Sequence, residues 1–325
     1  MRIAVDAMGG DHAPQQVVLG AAQAAEEYGI DISLVGLPSI VQPLLDNYPR
    51  LRLVPCTQVI AMDDHPAQAV RSKPDSSMSV CARMVKEGRA DGWTSAGNSG
   101  AIMAAALFIQ GRIKGVERPA LGSIVPTQNG FAYFLDVGAN VDSKPEYMVQ
   151  FAIMGSVYAR EMMGRKQPRV ALLSNGEEEG KGDERVRETA KRLAATLPGF
   201  SGNVEPKDIF AAKADVVVAD GFVGNVAIKM AEATADFLFR SLRDEIPKTF
   251  TGKLGGLLIR PGVRQIRSRI DWREFGGAPL LGIDGVAVVA HGRSDARAIK
   301  NAIRVTREAI EHHLVGKIRS EVGRP

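Results

Sequence analysis

Apolar and polar positions alternate along this chain with two different periods. Short β-branched runs recur, separated by longer stretches in which apolar residues return every three or four positions. Arg2–Asp6 predicts a first strand, and Gln15–Tyr28 predicts a helix stopped by Gly29. Ile32–Gly36 and Leu51–Pro55 read as the next strands. Asp91–Ser95 is a strand that runs into small residues, followed by an apolar helix over Ala101–Ile109. Leu121–Val125 and Phe131–Asp136 predict a strand pair, because Asn129-Gly130 favours a hairpin turn. Helices over Glu146–Met163, Asp183–Leu197 and Asn225–Glu245 alternate with strands Arg169–Leu173 and Asp215–Ala219. Gly285–Ala290 and Ser294–His313 close the pattern as strand and helix. This alternation predicts the α/β class, a mainly parallel sheet covered by helices on both faces. One stretch breaks it: Ile246 to Gly277 has no strand pattern and reads as an excursion from the sheet.

Composition narrows the picture. The 325 residues are 45% hydrophobic and 24% charged, which fits a folded chain and not a disordered one. With no internal repeat and no low-complexity linker, a single α/β domain over residues 1–325 is expected. Met1–Asp6 has no long apolar stretch before its first acid, so it does not read as a signal peptide, and no run approaches the ~18 uncharged apolar residues of a membrane span. Two cysteines, Cys56 and Cys81, cannot make a disulfide framework and lack zinc-site spacing, so a reducing cytoplasm is expected. No G-x-S-x-G elbow or H-E-x-x-H pair is present, and His312 and His313 fall in a charged helix as surface residues.

Open α/β sheets bind ligands beyond the carboxyl ends of their strands, so the turns there carry the candidate chemistry. Asp6-Ala7-Met8-Gly9-Gly10-Asp11-His12 combines two acids, a histidine and two glycines that let the backbone approach a ligand; the plain alternative makes Asp11 a helix cap. Ser95-Ala96-Gly97-Asn98-Ser99-Gly100 exposes backbone N–H groups at a helix start, an arrangement suited to phosphate, although it is neither a Walker loop nor a G-x-G-x-x-G motif. Asp136-Val137-Gly138-Ala139-Asn140 offers an acceptor and an amide, and reads equally well as an Asx turn. In Ser174–Gly182, Lys181 stands between two glycines where its ammonium can meet developing negative charge. The acids Glu177, Glu178 and Glu179 beside it read as a solvated run or local counter-charge. Asn225 ends the turn Asp220–Asn225 at the expected N-cap of its helix. Gly276–Gly282 and His291-Gly292-Arg293-Ser294 are the last such turns.

At these residues the chain resembles the phosphate acyltransferases of bacterial phospholipid synthesis, acyl-carrier-protein:phosphate transacylases. The matching runs are Asp6–Pro14, Asp75–Met78, Ser95–Ala101, Asp136–Asn140, Gly180–Gly182, Gly221–Asn225, Gly277–Gly282 and His291-Gly292, in family order over nearly the whole chain. Arg71-Ser72-Lys73-Pro74 is less lysine-rich than the family's equivalent. The resemblance implies a Rossmann-like three-layer α/β/α sandwich, similar to phosphotransacetylases and isocitrate-dehydrogenase-like enzymes, with a helical protrusion and a homodimeric state. It also implies transfer of a long-chain fatty acyl group from acyl carrier protein to inorganic phosphate, with Lys181 and Asn225 at the positions of the family's catalytic pair.

The residues accommodate that reaction. Phosphate is already anionic and needs a cradle, which Ser95–Gly100 can supply, while Lys181 and Asn225 can face a tetrahedral oxyanion. A thiol of pKa ~8.5 leaves readily, so no cofactor, metal or enzyme nucleophile is required. Asp6, Gly9, Gly10, Asp11, His12, Asp136, Asn140 and His291 are then expected to shape the substrate pocket. Alternatives are a phosphotransacetylase using acyl-CoA, a non-catalytic membrane scaffold and, more distantly, a nicotinamide dehydrogenase.

The charge balance singles out the excursion. The chain carries a formal +4, yet Lys248 to Phe275 alone holds seven bases against two acids, a net +5. Inside it, Lys253 and Arg260 flank Leu254-Gly255-Gly256-Leu257-Leu258-Ile259. An apolar tip ringed by bases suits peripheral docking on an anionic membrane surface, at the place of the family's membrane-contacting protrusion. It also suits encounter with an acidic carrier protein. Without an aromatic stacking pattern, nucleic acid is not an expected partner. Residues 246–275 are thus read as a docking protrusion of a cytoplasmic enzyme held at the inner face of the cell membrane.

Overall fold

The computed structural model describes residues 1–46 and 48–323. Among the described residues eleven strands form one sheet: β1 (Arg2–Asp6), β2 (Asp31–Gly36), β3 (Leu51–Pro55), β4 (Gly92–Ser95), β5 (Ala120–Thr127), β6 (Gly130–Leu135), β7 (Val170–Leu173), β8 (Phe200–Val204), β9 (Val216–Val218), β10 (Ala278–Leu281) and β11 (Val286–Val289). Their order is β3-β2-β1-β4-β11-β10-β5-β6-β9-β7-β8. The expected mainly parallel α/β/α arrangement is present. β3, β2, β1, β4 and β11 are mutually parallel, and so are β6, β9, β7 and β8.

Side chains alternate across the sheet as the strand period demands. Ile3 and Val5 pack under helices Gln15–Tyr28 and Ala296–Glu311, while Ala4 between them faces helices Ser77–Lys86 and Ser99–Ala105. In the other half, Tyr133, Leu135, Val216 and Val218 face helix Pro145–Met163, and Phe134 and Val217 face the opposite layer. Trp93 is fully buried and satisfies its indole N–H by donating to Gln110 Oε1 at 2.8 Å. Helix Leu314–Val322 buries Leu314 and Ile318 in the same cluster as Met148 and Leu281, and Glu321 pairs with Arg160 at 2.7 Å.

Between the two parallel sets the direction reverses. β10 is antiparallel to β11 and β5, and β5 is antiparallel to β6. The turn expected over Gly276–Gly282 is therefore largely a strand. Its Pro279 disguises it, because a proline lacks the ladder N–H. Here β10 pairs with β11 through Ala278 and Pro279 and with β5 through Leu280 and Leu281, so the proline sits where the strand changes partners. Helices Pro66–Ser72 and Ser77–Lys86 and strand β8 add to the expected elements. Phe200-Ser201-Gly202-Asn203-Val204 is too polar and glycine-broken to show a clear strand period.

The excursion starts earlier than the sequence implies. The helix carrying Asn225 spans Gly221–Glu245, and Asp220 caps it by accepting from the N–H groups of Phe222 and Val223. Asn225 is therefore not the cap but lies one turn inside. Only Gly221 and Gly224 of this helix are buried. A second helix, Phe250–Arg269, has no buried residue, and a short turn of helix, Trp272–Phe275, leads back into β10 through Gly276 at φ 77°. Among the described residues no helix is long and apolar enough to cross a membrane.

Candidate active site

The turns after β1, β4 and β11 interlock. Asp6 ends β1 with its carboxylate buried; Oδ2 accepts from the Ser95 hydroxyl at 2.6 Å and Oδ1 from the Met8 N–H at 3.1 Å. Burial pushes the Asp6 carboxyl above its ordinary range, opposed by the hydroxyls of Ser77 and Ser95. Ser95 Oγ in turn accepts from the Gly97 N–H at 3.0 Å. A Cβ on Gly9 would fall 2.7 Å from both Asp6 Oδ2 and Gly97 N, so only glycine lets these two turns touch. Gly10 turns at φ 105°, and the Asp11 N–H then donates to Gly292 O at 2.8 Å. His291 accepts from the Arg293 N–H through Nδ1, which leaves the ring proton on Nε2. Burial, then the nearby Arg293 charge, holds this imidazole below its usual pKa, and its ring lies 5.0 Å from that of Trp272.

A strap between β3 and helix Pro66–Ser72 covers this edge. The two amide hydrogens of Asn98 donate to Met62 O and Asp64 O, both at 3.0 Å, and its Oδ1 caps Ala101 N. The Asn98 side chain is thus spent on structure, and only its backbone N–H remains for a ligand. Lys73 Nζ donates to Val59 O at 3.1 Å and pairs with Asp64, whose carboxyl it draws below the usual range. Met62 is set against Gly292, where a Cβ would stand 3.2 Å from its Cε. Nothing in the sequence pattern marks Met62, Asp64 or Trp272, because their roles depend on chain segments far away. Cys56 and Cys81 are buried, and desolvation lifts the Cys56 thiol to about 11, so neither is an activated nucleophile.

A second cluster gathers Asp136, Asn140, Gly221, Gly224 and Asn225. Asp136 is fully buried and accepts from the N–H groups of Leu121, Gly138, Ala139 and Asn140 and from Asn140 Nδ2, at 2.7–3.2 Å. Asn140 Nδ2 also donates to Pro119 O, and Asn140 O accepts from the Gly221 N–H at 2.8 Å. Both polar groups of the expected pocket are thereby committed to holding a turn. Gly224 lies against the Asp136 carbonyl oxygen with no room for a side chain. Asn225 donates one amide hydrogen to Val137 O at 3.0 Å and keeps the other free of that bond. Lys181 is exposed on the loop after β7, its stem lying over Gly176. The neighbouring Glu177 pairs with Lys213, which also pairs with Asp208, so this acidic group is internally counter-charged.

The two clusters belong to strand sets that run in opposite directions on either side of β10 and β5. β6, β9 and β7 run opposite to β1, β4 and β11, yet the register sets Leu135, the end of β6, level with Val288 near the end of β11, so the carboxyl ends of the two sets approach one level from opposite sides. Ser95–Gly100, His12 and His291 thus come from the first set, and Lys181 and Asn225 from the turns of the second. Helix Gly221–Glu245 links the two sets, holding Asn225 on Val137 and, two turns on, setting Glu232 beside His291. There it walls a cavity of about 1170 Å³ with His12, Trp272, His291 and the helix Phe250–Arg269.

The comparisons with known proteins agree over the whole length. A family model described as "Fatty acid synthesis protein" matches residues 1–317. The chain is 49% identical to a phosphate acyltransferase of Heliobacterium modesticaldum, covering 99% of this chain and 98% of that protein. It is 48% identical to one of Desulfitobacterium hafniense, covering 100% and 98%. Among solved structures, a phosphotransacetylase from Streptococcus pyogenes superposes with a TM-score of 0.66 at 18% identity, covering 96% of this chain and 94% of its own. A 4-hydroxythreonine-4-phosphate dehydrogenase from Klebsiella pneumoniae gives 0.55 at 12%, covering 95% and 98%. These structures share the fold; the near-complete, closely similar relatives establish more, and by them the chain belongs to the phosphate acyltransferase family.

Proposed function

We propose that the protein transfers a long-chain fatty acyl group from acyl carrier protein to inorganic phosphate. A phosphate oxygen attacks the thioester carbonyl carbon, a C–O bond forms, and the carbonyl electrons move onto oxygen. The tetrahedral oxyanion then collapses, the C–S bond breaks, and the carrier thiolate leaves with acyl phosphate as the other product. Full-length identity near one half with phosphate acyltransferases carries this reading. Phosphate sits on the backbone of Ser95, Ala96, Gly97, Asn98, Ser99 and Gly100, braced from behind by Asp6. Lys181 and Asn225 serve the oxyanion. Fixing one Asn225 hydrogen on Val137 O orients the other in advance, which is how a donor gains leverage in a transition state.

The exposed apolar face beside Asn225 favours a site completed by a second copy. Around Asn225, helix Gly221–Glu245 exposes Phe222, Val226, Met230 and Phe237, the last 67% accessible, along one face. A second copy seated there brings its own turns to Lys181 and Asn225, and a two-fold axis makes two such composite sites. Residues 246–275 are the docking part of a single catalytic domain. Leu254, Leu257, Leu258 and Ile259 are exposed beside Lys253 and Arg260, a combination suited to an anionic leaflet on the cytoplasmic side.

Hydroxylamine trapping of acyl phosphate from palmitoyl carrier protein and phosphate tests the reaction, with palmitoyl-CoA as the competing donor. Lys181→Ala is expected to abolish the product while leaving the melting temperature unchanged. Near-wild-type turnover in that variant removes Lys181 from the mechanism, and faster turnover of the CoA thioester reassigns the donor.

A further inference from the structure

The helical hairpin has two apolar faces, and only one is explained by a second copy of the chain. Phe222, Val226, Met230 and Phe237 look outward and are exposed. On the other side of the same helix, Ala235 and Phe239, with Ile246 just past its end, recur at helical spacing, half-buried, and line the 1170 Å³ cavity. At 100° per residue the two stripes lie on roughly opposite sides of the helix. Val263, Ile270 and Trp272 face the same cavity from the returning segment, also half-buried, with Arg260, Arg264 and Arg267 interleaved. The cavity exceeds the ~300–1,000 Å³ of an ordinary small-molecule cleft. Its lining runs from Glu232 on the first helix to Ile246 just past its end, about 21 Å at 1.5 Å per residue. A long acyl chain spans one bilayer leaflet, about 15 Å.

Resting on the acyl-transfer reading above, we infer that this groove is the acyl-chain site. The chain lies between the two helices, its reacting end at Trp272 and His291 and its methyl end toward the far turn. An acyl chain fits the apolar stripe, and Arg267, the lining arginine nearest Trp272 in the chain, is the one that would meet the anionic end of an acyl phosphate leaving the Ser95–Gly100 turn. Chain-length preference is then set by Ala235, Phe239 and Val263, far from Lys181 and Asn225. The same groove opens along the exposed Leu257 and Ile259, so the site and the apolar tip are walls of one cavity.

Two variants test this, Ala235→Trp and Val263→Trp, each placed on a protruding helix outside the sheet. Turnover with palmitoyl carrier protein is expected to fall about tenfold or more while octanoyl carrier protein is unaffected. Equal changes for both donors, or none for either, overturn the assignment, as does loss of the dimer in sedimentation, which would make the groove a subunit contact. A second measurement does not depend on catalysis. Trp272 fluorescence of the wild-type protein should respond to monomeric hexadecyl phosphate but not to octyl phosphate, with Trp272→Phe as the blank. A response to dioleoylphosphatidylglycerol vesicles without one to hexadecyl phosphate assigns the groove to bilayer lipid and refutes the proposal. Binding of hexadecyl phosphate by a protein that makes no acyl phosphate would refute the acyl-transfer reading and leave the groove standing.

Discussion

Gly224→Ala isolates the placement of Asn225 from its chemistry. The Cβ added at Gly224 would overlap the carbonyl oxygen of Asp136, and Asp136 is itself fixed by five hydrogen bonds. Neither atom belongs to a flexible side chain. Ordinary contact begins at 3.4 Å, so the first turn of the helix must back away by more than about 1 Å, breaking the 3.0 Å bond from Asn225 Nδ2 to Val137 O. Overpacking of this kind costs about 1–3 kcal/mol of stability. A displaced catalytic donor costs about 10²-fold in rate. The control is the same substitution at Gly255, which has nothing within 4 Å of its Cβ position and lies mid-helix. There alanine should stabilise by up to about 1 kcal/mol through helix propensity alone. Thermal melts and hydroxylamine trapping on the three proteins read out both effects. A folded Gly224→Ala enzyme with wild-type turnover would show that the position of Asn225 does not matter to the reaction.

Four further outcomes follow from the geometry. Leu257→Glu/Leu258→Glu should lose co-flotation with anionic liposomes while turning over soluble octanoyl carrier protein; unchanged flotation defeats membrane docking. Lys181→Ala mixed with Gly97→Asp, which sets a carboxylate in the phosphate turn, should recover about a quarter of the sites if each site is shared by two copies, whereas no recovery places the site within one chain. Lys73→Met frees the strap from Asp64 and Val59, so the KM for phosphate should rise about tenfold with kcat and melting temperature little changed, and Lys73→Arg should restore it; an unaltered KM removes the strap from phosphate binding. His291 should titrate below 6.5 by NMR. Because the folded protein then binds fewer protons than the unfolded chain, His291 should lower stability as pH falls from 6.5 through its folded midpoint, and a midpoint at or above 6.5 contradicts its burial.

The parts of this molecule legible in the sequence are those that depend on near neighbours. Arg2–Asp6, Gln15–Tyr28 and the hairpin around Asn129-Gly130 follow from local periodicity and turn chemistry, and the structure has them at or within two residues of the expected bounds. The glycine turns were recognisable because close backbone approach excludes every other residue, as the contacts of Gly9 and Gly224 show. What stayed hidden depends on distant segments. β10 is concealed by Pro279 until its change of partners is known. Asp220, not Asn225, caps its helix, since two polar capping residues five positions apart are locally equivalent. That Asn98 and Asn140 spend their amides on structure is visible only once Met62 and Pro119 are beside them.

The partner change in β10 also sets how the molecule holds together. Two ladder pairs, Leu280 with Leu121 and Leu281 with Ala120, join the halves of the sheet, against five between β1 and β2. Backbone bonding alone would leave the halves nearly independent. Helix Leu314–Val322 crosses that seam, with Leu314 and Ile318 packed beside both Leu281 and Met148, and Glu321 tied to Arg160. The closing helix therefore acts as a clamp, and a chain cut after Glu311 should melt as two cooperative units where the whole chain melts as one.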